Sequence, residues 1–338
     1  MLARGRLMSG SACRAVRPLR PTDHGRLTPD ARHLTPGFHM NILISGSSGL
    51  IGQALIPALK SGGHSVASLV RFKPQPGAPL VYWNPAGGEI DSSKLEGFDA
   101  VIHLAGESVS GRWTPAKKQA IRESRVRGTR VLSEALARAS QRPRALVAAS
   151  ASGYYGDRGD EVLREDSAPG TSFLSRVCQE WEFATKPATE AGIRVVNLRI
   201  GLVLSRAGGG LAKMLPAFSM GVGGKIGPGK QYMSWIDIDD LVRIFLFAAT
   251  TETLSGPANA AAPNPVTNSE FTKALGRVLG RPTIVPMPAF AVRLVFGEMG
   301  EELLLASARM EPARLLGAGF QFRFPQLEGA LRHLLRGA

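Results

Sequence analysis

The sequence is poor in cysteine and has no long uninterrupted run of apolar residues. Its 338 residues include only two cysteines, Cys13 and Cys178, which are too few for a disulfide framework or a zinc site. No apolar run approaches the ~18–20 residues that a membrane-spanning helix needs. We therefore expect an intracellular protein with reduced thiols and without a membrane segment.

Acidic residues are also scarce relative to basic ones. The chain has 41 lysines and arginines against 27 aspartates and glutamates, a formal net charge of +14. It lacks zinc-finger spacing, an RNA-binding aromatic motif and a lysine cluster, so we expect no nucleic-acid partner. The excess of positive charge instead favours a small anionic ligand. With 44% hydrophobic and 20% charged residues, the composition is that of a globular protein.

The first 39 residues differ from the rest of the chain. They contain seven arginines, two aspartates and four prolines without apolar periodicity, which excludes a secretory signal. An arginine-rich, acid-poor segment is typical of a mitochondrial or plastid presequence. Alternatively, residues 1–39 are a disordered tail or a mis-assigned start, with Met40 as the true initiator just before the first predicted strand. We favour the second interpretation and expect a cytoplasmic location.

From Met40 onward, short apolar runs alternate with amphipathic segments. The predicted strands are residues 41–45, 65–70, 80–83, 99–104, 145–149 and 194–200. The predicted helices are residues 50–61, 115–139, 173–191 and 239–250. This alternation predicts an α/β fold with a Rossmann-like, doubly wound parallel sheet. We assign residues 40–200, together with 235–255, to a nucleotide-binding domain, and residues 201–234 and 256–338 to a smaller C-terminal substrate lobe.

A glycine-rich loop follows the first strand and opens the first helix. Gly46, Gly49 and Gly52 have the spacing and context of a dinucleotide-binding loop. The first glycine allows a tight turn, the second allows close approach of a pyrophosphate, and the third allows helix and strand to pack. The free N–H groups at the helix N-terminus favour phosphate. We also predict cofactor contacts from the intervening residues Ser48, Leu50 and Ile51.

The end of the second strand indicates which cofactor binds. Arg71 stands where an acidic residue would bind the 2′-hydroxyl of NAD(H), so NADP(H) is favoured over NAD(H). Leu104, Ala105 and Gly106 end the strand before the long helix, at the sheet edge where ligands of such folds bind. We expect these three residues to contact the cofactor as well.

Several motifs resemble the extended short-chain dehydrogenases/reductases, and more narrowly an atypical epimerase-like branch with a C-terminal domain of unknown function. They span about residues 40–335, and the most distinctive are Ala105-Gly-Glu107, Ser124-Arg125, Gly153-Tyr-Tyr-Gly156, Gly224-Lys-Ile-Gly-Pro-Gly229 and Phe320-Gln-Phe-Arg-Phe-Pro325. The resemblance implies a cofactor-binding fold and places the helix that carries Arg125 beside the cofactor. An arginine there, where the superfamily usually has asparagine, can reach a phosphate.

The Tyr-x-x-x-Lys pair that typical members use for proton transfer is missing. None of the four tyrosines is followed by lysine at the fourth position, and alignment with the family places Leu174 and Cys178 at these two sites. The substitutes that we consider for the proton relay are Ser150 at the end of a strand, Tyr154 or Tyr155, and Glu182, which could instead bind Arg199. For each of them a structural role is the alternative.

The resemblance implies an NADP(H)-dependent oxidoreductase or nucleotide-sugar epimerase that acts on an anionic or nucleotide-linked substrate. The alternative is a non-catalytic NADP(H)-binding redox sensor or regulatory protein, for example one related to cell division. The superfamily often forms homodimers through helices on the sheet face. We predict no metal site, because His64 and His103 stand alone and no carboxylate pair has ligand spacing.

Overall fold

The computed structural model describes residues 39–336, so predictions for residues 1–38 lie outside it. Its centre is an eight-stranded sheet with the strand order β8-β7-β6-β5-β1-β2-β3-β4. All neighbouring strands are parallel except the pair β3 and β4 at one edge. The strands are β1 (Asn41–Ser45), β2 (Ser65–Val70), β3 (Leu80–Asn84), β4 (Glu89–Ile90), β5 (Ala100–His103), β6 (Ala145–Ala151), β7 (Arg194–Ile200) and β8 (Gly256–Ala260). The α/β prediction and the parallel sheet are confirmed.

Helices cover both faces of this sheet and build a smaller unit beside it. The helices are α1 (Leu50–Ser61), α2 (Pro115–Arg138), α3 (Phe173–Phe183), α4 (Lys186–Glu190), α5 (Gly209–Ser219), α6 (Ile238–Thr250), α7 (Asn268–Leu279), α8 (Ala289–Phe296), α9 (Glu298–Gly300), α10 (Ala313–Gly317) and α11 (Leu327–Arg336). Three short strand pairs join Leu202–Leu204 with Trp235–Asp237, Tyr232–Met233 with Val266–Thr267, and Val162–Leu163 with Arg309–Met310. Within residues 39–336, no helix has both the length and the hydropathy to cross a membrane.

The strand β1 illustrates why the central strands read as continuous apolar runs. Ile42, Leu43 and Ile44 are fully buried although successive side chains point to opposite faces of a sheet. Ile42 and Ile44 pack in the core that contains α1 and α6 residues, whereas Leu43 packs in the core that contains α2 residues. Because neither face of this strand meets water, polar and apolar residues do not alternate along it.

Two segments differ from the sequence prediction. The helix predicted over residues 173–191 is divided into α3 and α4, because Pro187 has no N–H to donate and is accepted only in a helix's first turn. Residues 256–260 were expected in the C-terminal lobe, but they form β8, which pairs with β7 at the sheet edge. The sequence Gly-Pro-Ala-Asn-Ala of β8 has no apolar run, and an edge strand tolerates its proline.

The second unit has its own apolar core. Side chains of α5, α7 and α11 meet around Trp235, Phe271 and Leu275, which are almost completely buried. Trp235 belongs to the segment that leads into α6, and α6 in turn packs on the sheet through Leu241 and Phe245. The C-terminal helix is therefore linked to the sheet through the beginning of α6.

Candidate functional site

The glycine loop forms a tight cradle at the carboxyl end of β1. Gly46 has φ +72°, and a Cβ atom added there would lie 2.8 Å from the carbonyl carbon of Leu104. A Cβ atom on Gly52 would lie 2.5 Å from the carbonyl oxygen of Gly46. Gly49 precedes α1 and has no side chain to cap it, so the first-turn N–H groups receive no side-chain acceptor there. The loop has the shape and free donors that a pyrophosphate requires.

The residues predicted within this loop have different environments. Ser48 is exposed, and its carbonyl oxygen accepts a hydrogen bond of 3.0 Å from the side chain of Gln53. Leu50 is half-buried and approaches Gly208 and Gly209, whose added Cβ atoms would lie 3.3 and 3.1 Å from its methyl groups. Ile51 is partly buried and packs against both the core of the central sheet and the core of the second unit. Ser48 is thus the most accessible of the three, and Leu50 joins the loop to the segment before α5.

A buried polar chain holds the end of β5 next to the loop. The Ser45 hydroxyl oxygen accepts hydrogen bonds from the backbone N–H groups of Leu104 and Ala105 at 3.0 and 3.2 Å. Ser45 Oγ also lies 2.6 Å from His103 Nδ1, and His103 Nε2 lies 2.9 Å from Thr129 Oγ1. Burial lowers the pKa of His103 to about 4, so this ring is neutral at pH 7. His103 is therefore a buried core histidine with a partner at each ring nitrogen.

The two predicted cofactor arginines are placed differently. Arg71 is exposed after β2, and within residues 39–336 its side chain makes no hydrogen bond or ion pair. Arg125 is half-buried beside Gly106, and its Nη1 donates to the carbonyl oxygens of Glu107 and Ile121 at 2.9 and 3.1 Å. Burial lowers the pKa of Arg125. Arg71 is free to receive a ligand, whereas Arg125 borders the end of β5 with its Nη1 already bound to two carbonyl groups.

Ser150 lies at the end of β6 and belongs to a buried charged network. Its hydroxyl donates to Glu182 Oε1 at 2.7 Å. The guanidinium of Arg199 donates to both carboxylate oxygens of Glu182, from Nε and Nη2, at 2.9 Å each. Burial by itself lowers the pKa of Arg199, but the hydrogen bonds and the charge of Glu182 raise it above its ordinary value. Glu182 therefore pairs with Arg199, and Ser150 is oriented by that pair.

Tyr155 does not reach an accessible position. The side chain is fully buried, and its hydroxyl donates to Asn259 Oδ1 at 2.7 Å or to the carbonyl oxygen of Arg164 at 2.9 Å. The same hydroxyl accepts a hydrogen bond from Arg199 Nη1 at 2.9 Å. Burial raises the pKa of Tyr155 to about 12. These partners and this burial are what the structural alternative for Tyr155 predicts, and the proton-donor role stays a prediction.

Leu174 and Cys178 lie side by side on α3, as their spacing predicts. They are 6% and 2% exposed and pack against the turn Ser152–Tyr154. A Cβ atom on Gly153 would approach Leu174 Cβ at 3.1 Å and Cys178 Sγ at 3.9 Å. Burial raises the pKa of Cys178 to about 12, so its thiol is neutral at pH 7. Neither side chain can move a proton or supply a fixed positive charge.

Two important residues of this region were not found from the sequence. Asn259 on β8 is fully buried, and its side chain also donates to the carbonyl oxygens of Leu163 and Glu311 at 3.1 and 2.9 Å. Glu302 accepts hydrogen bonds from the backbone N–H groups of Phe173 and Leu174 at 2.9 and 2.8 Å and so caps α3. A single asparagine among the alanines at 258 and 260–262 is a weak signal for the first. Nothing local marks the second, since its partners lie about 130 residues earlier.

Known proteins resemble this chain over most of its length. The NAD dependent epimerase/dehydratase family matches residues 42–260, and a domain of unknown function, DUF1731, matches residues 287–334. An epimerase family protein of Mycobacterium bovis is 47% identical over 291 residues, which cover 86% of this chain and 96% of that protein. The human epimerase family protein SDR39U1 is 36% identical over 300 residues, which cover 88% of this chain and 100% of that protein.

Two solved structures of related proteins share the fold. The crystal structure of human SDR39U1 with NADPH has a TM-score of 0.81 at 34% identity and covers 88% of this chain and 100% of that one. A nucleoside-diphosphate sugar epimerase from Corynebacterium glutamicum has a TM-score of 0.74 at 41% identity and covers 90% of this chain and 60% of that one. The chain therefore belongs to the NAD dependent epimerase/dehydratase family, as an atypical extended short-chain dehydrogenase/reductase with a C-terminal DUF1731 domain.

Proposed function

We propose that this protein binds NADP(H) between the glycine loop and the end of β5. The observation that carries the proposal is the cradle in which added Cβ atoms on Gly46 and Gly52 would collide with backbone atoms. Such a loop brings backbone N–H groups to a pyrophosphate that side chains would otherwise keep away. The NADPH in the structure of human SDR39U1, whose fold this chain shares, supports the same interpretation.

Arg71 favours NADP(H) over NAD(H). The side chain follows β2, the strand next to β1 and its glycine loop, and it is exposed and unpaired in the region that the structure covers. A guanidinium group can form paired hydrogen bonds with a 2′-phosphate, which NAD(H) lacks. Arg125 lies beside Gly106, and because only its Nη1 binds backbone carbonyl groups, its remaining donors could also reach a cofactor phosphate.

The reaction that we infer is an oxidoreduction or epimerisation of an anionic or nucleotide-linked carbonyl compound. A nicotinamide cofactor, when bound, supplies or accepts a hydride, and the protein binds, orients and exchanges protons with the substrate. Ser150, which is 3% exposed, is the hydroxyl that we infer takes part in that exchange. Its oxygen can accept a hydrogen bond while its proton remains directed at Glu182, and the charge of Glu182 is balanced by Arg199.

The cofactor proposal is tested by titrating the purified protein with NADPH and NADH. We expect Arg71→Ala to raise the Kd for NADPH roughly 10–100-fold and to change the Kd for NADH less than about twofold, because only NADPH has the phosphate. Lys73→Ala is the matched control, since Lys73 is also a basic and exposed residue just beyond β2. Equal losses for both nucleotides would refute the role of Arg71, and no binding of either would refute the proposal.

A second candidate function is a non-catalytic NADP(H)-binding sensor. The observation that favours it is the packing of Leu174 and Cys178, which leaves α3 without an ionisable proton donor at neutral pH. A turnover assay with NADPH against nucleotide sugars and simple carbonyl compounds separates the two functions. NADPH consumption that Ser150→Ala abolishes, with NADPH affinity retained, would exclude the sensor. Binding without turnover across these substrates would favour it.

A further inference from the structure

A cluster of three potential metal ligands lies where α6 meets the C-terminal helix α11. Asp237 ends a short strand, Asp239 lies in the first turn of α6, and His333 projects from α11. One carboxylate oxygen from each aspartate and one ring nitrogen of His333 all lie within 4.8 Å of one another. In sequence the histidine is 94 residues from Asp239, so spacing could not reveal the group.

An unpartnered oxygen points to a ligand at this cluster. The Asp237 side chain is fully buried, and its Oδ1 accepts a hydrogen bond of 2.8 Å from the backbone N–H of Asp239. Its Oδ2 is buried without a hydrogen-bond partner anywhere in residues 39–336. Leaving a buried carboxylate oxygen without a partner is unfavourable.

The neighbouring charged groups do not satisfy this oxygen. Asp240, in the same turn, is occupied by Arg243 at 2.7 Å and by the backbone N–H groups of Arg323 and Phe324 at 3.0 and 2.9 Å. His333 Nε2 lies 2.8 Å from Asp239 Oδ2, and its ring stacks on Phe324 with centroids 4.3 Å apart. The histidine is therefore held in place with its ring nitrogen directed toward the carboxylates.

We propose that Asp237, Asp239 and His333 bind a divalent transition-metal ion, with Zn²⁺ the best match. One imidazole nitrogen and two carboxylate oxygens suit zinc, whereas Mg²⁺ and Ca²⁺ prefer six or more oxygen ligands. The side chains of Asp239 and His333 are each 28% exposed, so water can complete the coordination and the ion can enter. The ion supplies the positive charge that the Asp237 carboxylate lacks.

Such a site would fasten the two family-matched regions to each other. Asp237 and Asp239 belong to the part that matches the epimerase family, and His333 belongs to the part that matches DUF1731. Because α6 packs on the sheet and α11 packs on α7, zinc would stabilise the docking of the C-terminal unit. None of the three residues belongs to the glycine loop, the end of β5 or the proposed cofactor arginines, so failure of the zinc site would leave the proposed function intact.

The test is zinc binding by the complete chain after removal of metals with a chelator. We expect isothermal titration with ZnCl₂ to show a high-affinity site with a Kd of about 1 μM or lower, and thermal unfolding to shift upward with ZnCl₂ but not with MgCl₂. Asp237→Asn and His333→Gln each remove a ligand, so each should weaken this site by more than the roughly 10–100-fold that loss of an outer-shell partner costs. Glu328→Gln removes an acidic group from α11, the helix that carries His333, and this variant should bind zinc as the wild type does.

Two results would overturn the proposal. One is the absence of zinc binding by the wild-type chain. The other is binding that persists at wild-type affinity in both Asp237→Asn and His333→Gln, which would place the ion on other cysteines or histidines. Circular dichroism of both variants checks that they are folded, and the nearly isosteric Asp237→Asn is expected to keep the cap on α6 because its amide oxygen can still accept from Asp239.

Discussion

Replacing Glu182 by glutamine tests whether the buried charge pair near Ser150 is essential for the fold. Both oxygens of Glu182 accept hydrogen bonds from Arg199, whose side chain is only 3% exposed, and one of them also accepts from Ser150. In either orientation, the amide group of glutamine would direct its NH₂ toward a donor of Arg199. The guanidinium would then remain buried without its counter-charge.

The magnitude follows from the hydrogen bonds that are lost. Each charge-assisted hydrogen bond contributes about 1.5–3 kcal/mol, and two of them join Glu182 to Arg199. Breaking one partner of a buried pair costs about 3–5 kcal/mol in measured cases, which agrees with this sum. We therefore expect Glu182→Gln to lower the free energy of unfolding by about 3–5 kcal/mol.

The assay is equilibrium unfolding in urea, followed by far-ultraviolet circular dichroism. Glu180→Gln is the matched control, because Glu180 lies on the same helix and pairs with Arg122 at 2.6 Å, but with both side chains 40–50% exposed. Such an exposed pair contributes at most about 1 kcal/mol. If Glu182→Gln destabilised the protein no more than Glu180→Gln does, the reasoning about the buried pair would be refuted.

Three further predictions concern the loop, a buried histidine and a buried thiol. Gly52→Ala places a Cβ atom 2.5 Å from a loop carbonyl oxygen and should weaken NADPH binding at least about tenfold. Gly317→Ala, where an added Cβ atom meets open space, should leave NADPH binding unchanged. Unchanged affinity in Gly52→Ala would contradict this. Burial lowers the pKa of His103 to about 4 in the folded protein, against about 6.5 in the unfolded chain, so the stability it contributes above pH 6.5 is lost as the pH falls toward 4. We expect the free energy of unfolding, measured in urea at several pH values, to fall more steeply between pH 6.5 and 4 for the wild type than for His103→Gln, by up to about 1.4 kcal/mol per pH unit. Parallel profiles would contradict this. In a Cys13→Ser variant, a thiol reagent should label Cys178 only after the protein has unfolded, because the side chain is 2% exposed and burial raises its pKa to about 12. Rapid labelling of the folded protein would contradict this.

The individual strands, the glycine loop and the helices were predictable because the residues that determine each of them are close together in the sequence. The apolar runs at 41–45 and 65–70 and the glycines at 46, 49 and 52 contain the strand, turn and helix signals within twelve residues or fewer. Cys178 and Leu174 share a face of α3 because helical periodicity fixes their relative direction. The same logic failed for β8, since its sequence has no apolar run and the strand exists through its pairing with β7.

The amino-acid sequence by itself thus determined the parallel α/β fold, the glycine loop and the absence of a Tyr-x-x-x-Lys pair. Only the tertiary structure decided that Tyr155 is locked between Arg199 and Asn259, and that His333 meets Asp237 across nearly a hundred residues of chain. The physical reason is that periodicity and turn chemistry act over a few residues. Burial, ion pairing and the accessibility of a hydroxyl depend on which distant segments pack together.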